Sequence, residues 1–291
     1  MSEHVHQDAS LLDMYDALLC DLDGVVYAGP AAVPYAVEAL AAAQDAGVSV
    51  AYCTNNASRT PEEVAEHISS LGIPTSPEQV FGSSRAAAIQ AQATAADLNI
   101  QDPTAYVVGT EALRREAIDA GLRIVDSAAA KPDFVLQGFN PDVTWRHLAE
   151  AGYAITAGAR WIATNTDTTI PRAEGIAPGN GTLVAAVAAA TGSEPVVTGK
   201  PAPTLMRMAA RAVGAQNPLV IGDRLDTDIA GGNAAGFATA LVLTGVDTLA
   251  AAKQAEPGLK PRYVLNDLRD LRAPAHSCVL EESGTQESLN D

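Results

Sequence analysis

The sequence is poor in cysteine, in aromatic residues and in positive charge, and it has no long apolar run. Its three cysteines, Cys20, Cys53 and Cys278, are an odd number without metal-ligand spacing, which implies neither a disulfide framework nor a cysteine metal site. Cys20 and Cys53 stand in apolar runs just before polar motifs. We expect both to be small, buried packing residues, with a redox role as the alternative.

The missing apolar run excludes one class of protein. No stretch approaches the ~18 consecutive apolar residues of a membrane-spanning helix. The first ten residues, MSEHVHQDAS, are polar and acidic and contain no apolar core of a signal peptide. We therefore expect a cytoplasmic protein with no membrane partner.

Positive charge is scarce, because 18 lysines and arginines face 35 aspartates and glutamates, for a formal net charge of −17. Nucleic acids and anionic membrane surfaces need a basic surface on their partner, so neither is expected to bind here. If the substrate is an anion, the field at its site must be locally positive although the protein as a whole is negative.

Length and composition describe a globular protein with more than one unit. The chain has 291 residues, beyond the ~100–200 of a usual single domain. Its 47% hydrophobic and 18% charged residues are typical of a folded protein rather than a disordered one. Two structural units are the natural expectation.

The order of patterns predicts a parallel sheet covered by helices. Apolar, β-rich runs at Ala17 to Cys20 and Val48 to Cys53 flank a helical pattern over Pro34 to Ala46, which is a βαβ arrangement. A second helix follows, with Thr60 as its N-cap and Glu63 completing a capping box. Further strands of this kind are predicted at Pro195 to Thr198, Leu219 to Ile221 and Ala238 to Leu243.

The middle of the chain has an alternation of its own and reads as an inserted unit. Strand patterns occur in TAYVVGT, LRIVDS, DFVLQGF and RWIATN, separated by alanine-rich helices. The predicted joints are Phe81 to Arg85 and the Gly/Pro/Asn cluster Gly175 to Gly181. The polar, acidic segment after Leu271 is predicted to be disordered.

One short stretch, LLCDLDGVVY, poses an electrostatic problem. Two acids, Asp21 and Asp23, interrupt a run that looks like a buried strand. Burying two carboxylates close together costs free energy unless a cation or hydrogen bonds compensate. The stretch therefore predicts a compensating positive group.

Four polar segments each follow a predicted strand, and the carboxyl ends of parallel strands are where such sheets bind ligands. Taken singly, each also fits a structural role in a turn, an N-cap or a surface loop. The segments are Asp21 with Asp23, Thr54 to Asn56, Lys200, and Asp223 with Asp228.

In this order the four segments resemble the motif set of the haloacid-dehalogenase superfamily. Asp21, Asp23 and the following glycine match its first motif, Thr54 its second, Lys200 its third, and Asp223 with Asp228 its acidic fourth. The long gap between the second and third motifs is where the C2 type of the superfamily carries a cap domain. WIATNTD, IAPGNGTLVAAV and VVTGKPAP further resemble the NagD-type (subfamily IIA) phosphatases, close to those acting on phosphoglycolate and glycerol 3-phosphate.

The resemblance covers most of residues 15–272 and implies an α/β fold. We expect a Rossmann-like, doubly wound parallel-sheet core with an inserted α/β cap of the C2 type. The predicted divisions are a flexible N-terminus at 1–14, a catalytic core at 15–83 and 180–272, a cap at 84–179 and a disordered acidic tail at 273–291.

The resemblance also implies a metal and a covalent mechanism. Mg²⁺ would be held by the Asp21 carboxylate, the Asp23 backbone carbonyl and the Asp223 carboxylate, with Asp228 orienting a ligand water. Asp21 would be the nucleophile that forms an aspartyl phosphate, and Asp23 the general acid and then base. Physical chemistry agrees, because a carboxylate attacking a dianionic phosphate monoester needs a cation beside it, and Mg²⁺ prefers oxygen ligands.

The remaining motif residues would bind the phosphoryl group. The resemblance assigns this role to Thr54, Asn55, Asn56 and Lys200, which supply the locally positive field that an anionic substrate needs. Arg59 and Arg224 lie close in sequence to these motifs. We expect them to be structural residues near helix ends, with a contribution to the field as the alternative.

The predicted cap segment TNTDTTIPRAEG bears on the leaving group. Asn165 and Asp167 match the family's N-x-D, whereas Ile170 stands where the pyridoxal phosphate branch usually has histidine. No aromatic residue occurs in 164–181 to stack a nucleobase. These features favour glycerol 3-phosphate or 2-phosphoglycolate over nucleoside monophosphates or pyridoxal phosphate.

Other functions stay open from the sequence. Transfer of phosphate to an acceptor other than water, and a catalytically silent phosphoester-binding protein, are the alternatives to a phosphatase. The expected partner is a small phosphorylated metabolite, and a homodimer is compatible with the sequence.

Overall fold

The computed structural model of the protein describes residues 9–57, 59–172 and 174–280. Packing divides the chain into two compact units, and each is described by itself. The first unit comprises Met1–Tyr52, Ile68–Thr75 and Ala209–Asp291, and the second comprises Cys53–His67 and Ser76–Met208.

The helices and strands alternate along the chain. The described helices are α1 (Leu11–Met14), α2 (Ala36–Asp45), α3 (Pro61–Ser70), α4 (Ser83–Asp97), α5 (Glu111–Asp119), α6 (Trp145–Thr156), α7 (Asn180–Thr191), α8 (Thr204–Ala212), α9 (Ala230–Ala235), α10 (Leu249–Gln254) and α11 (Ala275–Cys278). The described strands are β1 (Ala17–Cys20), β2 (Tyr27–Ala28), β3 (Ala31–Ala32), β4 (Ser49–Thr54), β5 (Val80–Gly82), β6 (Thr104–Val108), β7 (Arg123–Val125), β8 (Phe134–Gln137), β9 (Arg160–Ala163), β10 (Thr169–Arg172), β11 (Gly175–Pro178), β12 (Val196–Val197), β13 (Pro218–Gly222), β14 (Ala238–Val242) and β15 (Tyr263–Leu265).

The first unit is built on parallel strands in the order β15-β14-β13-β1-β4. The central strands β1 and β13 are buried along their whole length, as expected for a sheet covered on both faces. Cys20, the last residue of β1, pairs with Ile221 of β13 and with Tyr52 of β4. The residues that follow β1 and β13 therefore leave the sheet side by side.

The second unit contains a separate parallel sheet in the order β12-β9-β8-β6-β7. Helices α4 and α5 pack on one face through alanines and Leu113, and α6 and α7 pack on the other through Ile155, Val184 and Val187. The predicted alternation in the middle of the chain is confirmed. The strand predicted at Pro195 to Thr198 is present as β12, but it pairs with β9 of this sheet rather than with the strands of the first unit.

The predicted start of α3 is confirmed in detail. The Thr60 backbone amide donates to Glu63 Oε2 at 2.9 Å, and the Glu63 amide donates to Thr60 Oγ1 at 3.3 Å. These two reciprocal bonds satisfy backbone donors that the first turn of a helix leaves without partners.

The segment predicted to be a joint at Gly175 to Gly181 is partly a strand. Residues Gly175–Pro178 form β11 and pair antiparallel with β10, with Ile170 opposite Ala177. Glycine and proline suggested an irregular loop, but backbone pairing with β10 overrides those local preferences.

The predicted flexible N-terminus, 1–14, and the predicted disordered tail, 273–291, each contain a short helix. Within 1–14, Leu11 of α1 is fully buried and Ser10 bridges to Pro274. Within 273–291, α11 forms and Leu280 joins a buried cluster with Ile229. Apolar side chains spaced among polar residues anchor these segments, whereas residues 1–8 and 281–291 lie outside the described part of the chain.

The predicted fold class, parallel α/β sheets covered by helices, is confirmed. The division into core and cap at residues 83/84 and 179/180 stays a prediction. Among the described residues, no helix combines the length and apolar character that crossing a bilayer requires.

Candidate active site

Three predicted acids meet at one place in the first unit. Asp21 directly follows β1, Asp223 directly follows β13, and Asp228 lies in the helical turn Leu225–Ile229. Each contributes a carboxylate oxygen to a group whose atoms lie within 4.8 Å of one another. The exposed fractions of these residues are only 8%, 3% and 1%.

The position of Asp223 is fixed by backbone from two loops. The Val246 amide donates to Asp223 Oδ2 at 2.9 Å. A Cβ added to Gly24 or to Gly245 would overlap that same carboxylate, and Gly24 also has a positive φ of 79°. The chain comes this close to the carboxylate because both positions lack a side chain. The Thr244 hydroxyl holds the two loops together by donating to the Gly24 carbonyl at 2.7 Å.

Asp228 is positioned by its own turn. Its Oδ2 accepts a hydrogen bond from the Arg224 amide at 3.1 Å, and a Cβ on Gly222 would overlap its side chain. Three buried carboxylates this close repel one another unless a cation compensates. A compact set of hard oxygen donors fits Mg²⁺, so the residues present match the metal that the sequence predicts.

Only one acid of the LLCDLDGVVY stretch is buried, which corrects the expectation for the pair. Asp23 is exposed, whereas Asp21 and the intervening Leu22 are buried. The chain leaves the sheet here, since the Leu22 carbonyl accepts from the Val26 amide at 2.9 Å and from the Tyr27 amide at 3.1 Å. The turn breaks the alternation of a strand and directs Asp23 toward solvent. An exposed carboxyl can exchange protons with water.

In the second unit, Lys200 is buried to all but 3% of its surface and is held by backbone and side-chain groups. Its Nζ donates to the Cys53 carbonyl at 3.0 Å. Its backbone amide donates to Asn55 Oδ1 at 2.8 Å, and Asn55 Nδ2 donates to its carbonyl at 2.9 Å. The Asn55 side chain therefore binds both ends of the Lys200 main chain.

The polar loop at 54–57 is itself anchored. The Thr54 hydroxyl accepts from the Asn56 amide at 3.0 Å. The Asn55 carbonyl accepts from Ser83 Oγ at 2.8 Å and from Asn165 Nδ2 at 2.9 Å. These bonds to the main chain hold the loop in one conformation.

The next carbonyl of this loop is held in the same way. The Ala57 carbonyl accepts from Ser84 Oγ at 3.2 Å and from Thr110 Oγ1 at 3.1 Å. The donors come from the first turn of α4 and from the N-cap of α5. Hydroxyl side chains at helix starts are common in any protein, so nothing in the sequence tied them to this loop.

The residues predicted to choose the leaving group have different environments. Asn165 is buried, and its side chain forms hydrogen bonds to the protein main chain; its Oδ1 accepts from the Asp167 amide at 3.2 Å. Asp167 is half-buried, and Ile170 lies half-buried in β10. The predicted contact of these three residues with substrate stays a prediction.

The two arginines near the motifs also differ. Arg224 forms a two-bond pair with Asp226, at 3.0 and 2.8 Å, which supports the structural role that we expected. Arg59 is exposed and lines a small pocket together with Thr54 and Asn56. It therefore lies beside the second motif.

Comparison with known proteins supports the sequence resemblance. Residues 18–123 match the family described as haloacid dehalogenase-like hydrolase, and residues 197–271 match one described as HAD-hydrolase-like. A D-glycerol 3-phosphate phosphatase from Mycobacterium tuberculosis is 44% identical over 263 residues, covering 90% of this chain and 72% of the relative. A 5′-nucleotidase from Bacillus subtilis is 38% identical over 234 residues, covering 80% of this chain and 88% of the relative.

Solved structures give the same picture. The crystal structure of a glycerol phosphate phosphatase from Mycobacterium tuberculosis in complex with magnesium superposes with a TM-score of 0.88 at 42% identity. The match covers 94% of this chain and 81% of that chain.

Proposed function

The chain belongs to the haloacid dehalogenase-like hydrolase family, among its NagD-type phosphatases, and we propose that it hydrolyses glycerol 3-phosphate with Mg²⁺ as cofactor. As a member of this group it is a phosphoric monoester hydrolase. The observation that carries the proposal is the buried group of Asp21, Asp223 and Asp228, whose carboxylates need a cation. A binding protein without turnover has no evident use for this group together with the exposed acid Asp23.

We assign the metal to the Asp21 and Asp223 carboxylates and the Asp23 backbone carbonyl, with Asp228 orienting a ligand water. When bound, Mg²⁺ neutralises charge on the phosphate and lowers the repulsion between this anion and a carboxylate nucleophile. The Val246 amide and the glycines around Asp223 keep its carboxylate in place for this task.

In the proposed reaction Asp21 attacks phosphorus, and the bond from phosphorus to the substrate's alkoxide oxygen breaks. Asp23 gives its proton to that alkoxide, which leaves as glycerol. Asp23 then takes a proton from a water, which attacks phosphorus and breaks the aspartyl phosphate bond. Inorganic phosphate leaves and Asp21 is regenerated. The exposure of Asp23 suits a group that must exchange a proton in each cycle.

Thr54 and Lys200 are proposed to bind the phosphoryl oxygens, with Asn55 and Asn56 contributing through their amides. Lys200 is buried, its main chain is fixed by Asn55 and its Nζ donates to the Cys53 carbonyl, so this donor is set in place before substrate arrives. Donors that are positioned in advance stabilise transition-state charge without further reorganisation.

Two observations favour glycerol 3-phosphate as the substrate: the composition of the segment predicted to contact the leaving group, and the name of a similar protein. Segment 164–181 is polar and contains no aromatic residue, which suits a small polar alcohol. The phosphatase from Mycobacterium tuberculosis, 44% identical, is named for this substrate. 2-Phosphoglycolate fits the same segment, and the 38% identical 5′-nucleotidase makes nucleoside monophosphates the second candidate.

A phosphate-release panel tests the substrate. Purified protein with Mg²⁺ is assayed for kcat/KM on glycerol 3-phosphate, 2-phosphoglycolate, a nucleoside monophosphate and pyridoxal phosphate, with Asp21→Asn as the blank. We expect glycerol 3-phosphate to have the highest value. A nucleotide or pyridoxal phosphate about ten times above both small phosphates would overturn the proposal.

We further propose that the enzyme acts in the cytoplasm on small phosphorylated metabolites. We expect no nucleic-acid partner, because the net charge of the protein is −17. The homodimer stays a prediction.

A further inference from the structure

Asn180, the first residue of α7, is fully buried; it lies in the stretch IAPGNGTLVAAV that resembles the family, but the sequence predicts no role for it. Its Nδ2 donates to the Asn165 carbonyl at 2.7 Å. Its Oδ1 has no hydrogen-bond partner among the described residues. A buried acceptor without a partner lowers the stability of the fold. We therefore attribute the role of this side chain to its donor, Nδ2.

The donor of Asn180 acts on a residue that reaches the second motif. Asn165 Nδ2 donates to the Asn55 carbonyl at 2.9 Å, while Asn165 Oδ1 accepts from the Asp167 amide at 3.2 Å. Both polar atoms of the Asn165 side chain are thus committed. Asn180 then fixes its main chain, which leaves Asn165 little freedom to rotate.

Asn55 carries the series on to Lys200. Its side chain accepts from the Lys200 amide and donates to the Lys200 carbonyl, at 2.8 and 2.9 Å. Three asparagines, Asn180, Asn165 and Asn55, therefore connect the start of α7 to the lysine by short hydrogen bonds. All of these contacts lie within the second unit.

Close backbone packing holds together the segments that carry Asn180, Asn165 and Lys200. A Cβ on Gly181 would overlap the Thr166 carbonyl, and the Gly181 amide donates to the Asp167 carbonyl at 2.8 Å. A Cβ on Gly199 would overlap the Thr164 carbonyl. The start of α7 and the residue before Lys200 both lie against segment 164–167, so a shift of that segment moves both.

We propose that Asn180 is a positioning residue that sets the phosphate-binding lysine through Asn165 and Asn55. This inference rests on the proposed role of Lys200 in binding the phosphoryl group. It predicts that Asn180 affects every phosphate ligand alike, since it acts on the phosphate side and not on the leaving group.

Thr182 provides a matched control. It lies in the same first turn of α7, and its Oγ1 donates to the Thr168 carbonyl at 2.7 Å. The bond has the same length and reaches the residue next to segment 164–167, but Thr168 makes no described contact with Asn55. Thr182 is exposed, so its truncation leaves no buried cavity.

The test measures Ki for inorganic phosphate and for orthovanadate, with p-nitrophenyl phosphate as substrate and saturating Mg²⁺. These inhibition constants do not depend on the fraction of active protein. We expect Asn180→Ala to raise both constants about threefold to tenfold, the effect of losing one neutral hydrogen bond. It should lower kcat/KM by the same factor for p-nitrophenyl phosphate and glycerol 3-phosphate. Thr182→Ala should stay within about twofold of wild type.

A double variant tests the route. In an Asn165→Ala background, Asn180→Ala should raise Ki no further, because the connection is already broken. Additive effects, or an unchanged Ki in Asn180→Ala, would overturn the inference. If Asn180→Ala does not fold, Asn165→Ala alone decides, since the inference requires it to raise Ki by about the same factor and an unchanged Ki refutes it. A wild-type protein that hydrolyses p-nitrophenyl phosphate but not glycerol 3-phosphate would overturn the proposed substrate and leave this test intact.

Discussion

The Asp223 carboxylate accepts a hydrogen bond from the Val246 backbone amide at 2.9 Å. The preceding residue, Gly245, lies so close to that carboxylate that no side chain would fit there. A residue after β13 is thus oriented by the loop after β14. Because Asp223 is a proposed ligand of Mg²⁺, this loop becomes part of the metal site.

We therefore expect Gly245→Ala to weaken Mg²⁺ binding, because the added methyl group displaces the Asp223 carboxylate. Loss of such support for a ligand typically costs 10-fold to 100-fold in metal affinity. Titration of phosphate release against Mg²⁺ measures the effect. Gly258→Ala is the control, since its Cβ would meet nothing within 4 Å, and it should leave the Mg²⁺ dependence unchanged.

Asp23→Asn should separate the two chemical steps. p-Nitrophenolate leaves without much help from an acid, so the first step survives on p-nitrophenyl phosphate while hydrolysis of the aspartyl phosphate slows about 10²–10⁴-fold. Rapid-mixing experiments should show a burst of nitrophenol that matches the enzyme concentration. Turnover without a burst, at the wild-type rate, would exclude Asp23 as the general base. Asp21→Asn should show neither burst nor turnover.

Asn55→Asp tests the connection to Lys200. The carboxylate still accepts from the Lys200 amide, but its second oxygen now faces the Lys200 carbonyl, where Nδ2 donates in the native protein. We expect kcat/KM to fall about 10-fold to 100-fold, from one lost bond and one repulsive contact. The Mg²⁺ dependence should not change, in contrast to Gly245→Ala. A change in the Mg²⁺ dependence would contradict the proposal that Asn55 acts on the phosphate-binding lysine and not on the metal site.

Glu116 gives a prediction for stability against pH. Burial raises the pKa of its carboxyl above the ordinary value of 4.5, although the nearby Arg85 opposes the shift. The folded state therefore favours the protonated form, and stability is lost as pH rises from the unfolded pKa through the folded one. Glu116→Gln removes this loss, so its melting temperature should exceed that of wild type at pH 7, by on the order of 2 °C.

The same comparison at low pH is the control. Near pH 4 Glu116 is largely protonated in the folded protein, and the two melting temperatures should converge. A difference that persists unchanged from pH 7 to pH 4 would show that the carboxyl does not titrate in this range.

The sequence predicted which acids that directly follow a strand lie close together. Asp21 and Asp223 were predicted because each ends an apolar run, and parallel strands bring their carboxyl ends to one edge. No role was predicted for Gly245, Val246 or Asn180, because the roles proposed for them depend on contacts between distant segments that no local pattern records. The exposure of Asp23 was missed for a different reason, since the turn over Leu22 ends the alternation that a strand would have imposed.

Local preferences also explain the errors in the fold. Gly175–Pro178 has the composition of a loop, yet pairing with β10 makes it a strand. The strand predicted at Pro195 to Thr198 forms over Val196–Val197. A pattern this short does not specify which sheet the strand joins, and pairing with β9 places it in the sheet of the second unit.

The anchoring of the 54–57 loop bears on protein engineering. Its carbonyls are held by Ser83, Ser84, Thr110 and Asn165, which come from three separate parts of the chain. A chimera that exchanges residues 84–179 with a relative to change specificity would keep Ser83 and import foreign partners at the other three positions. Such grafts should retain turnover when the two hydroxyls and the Asn165 amide are restored in the donor sequence, because the 54–57 loop then keeps its native hydrogen bonds.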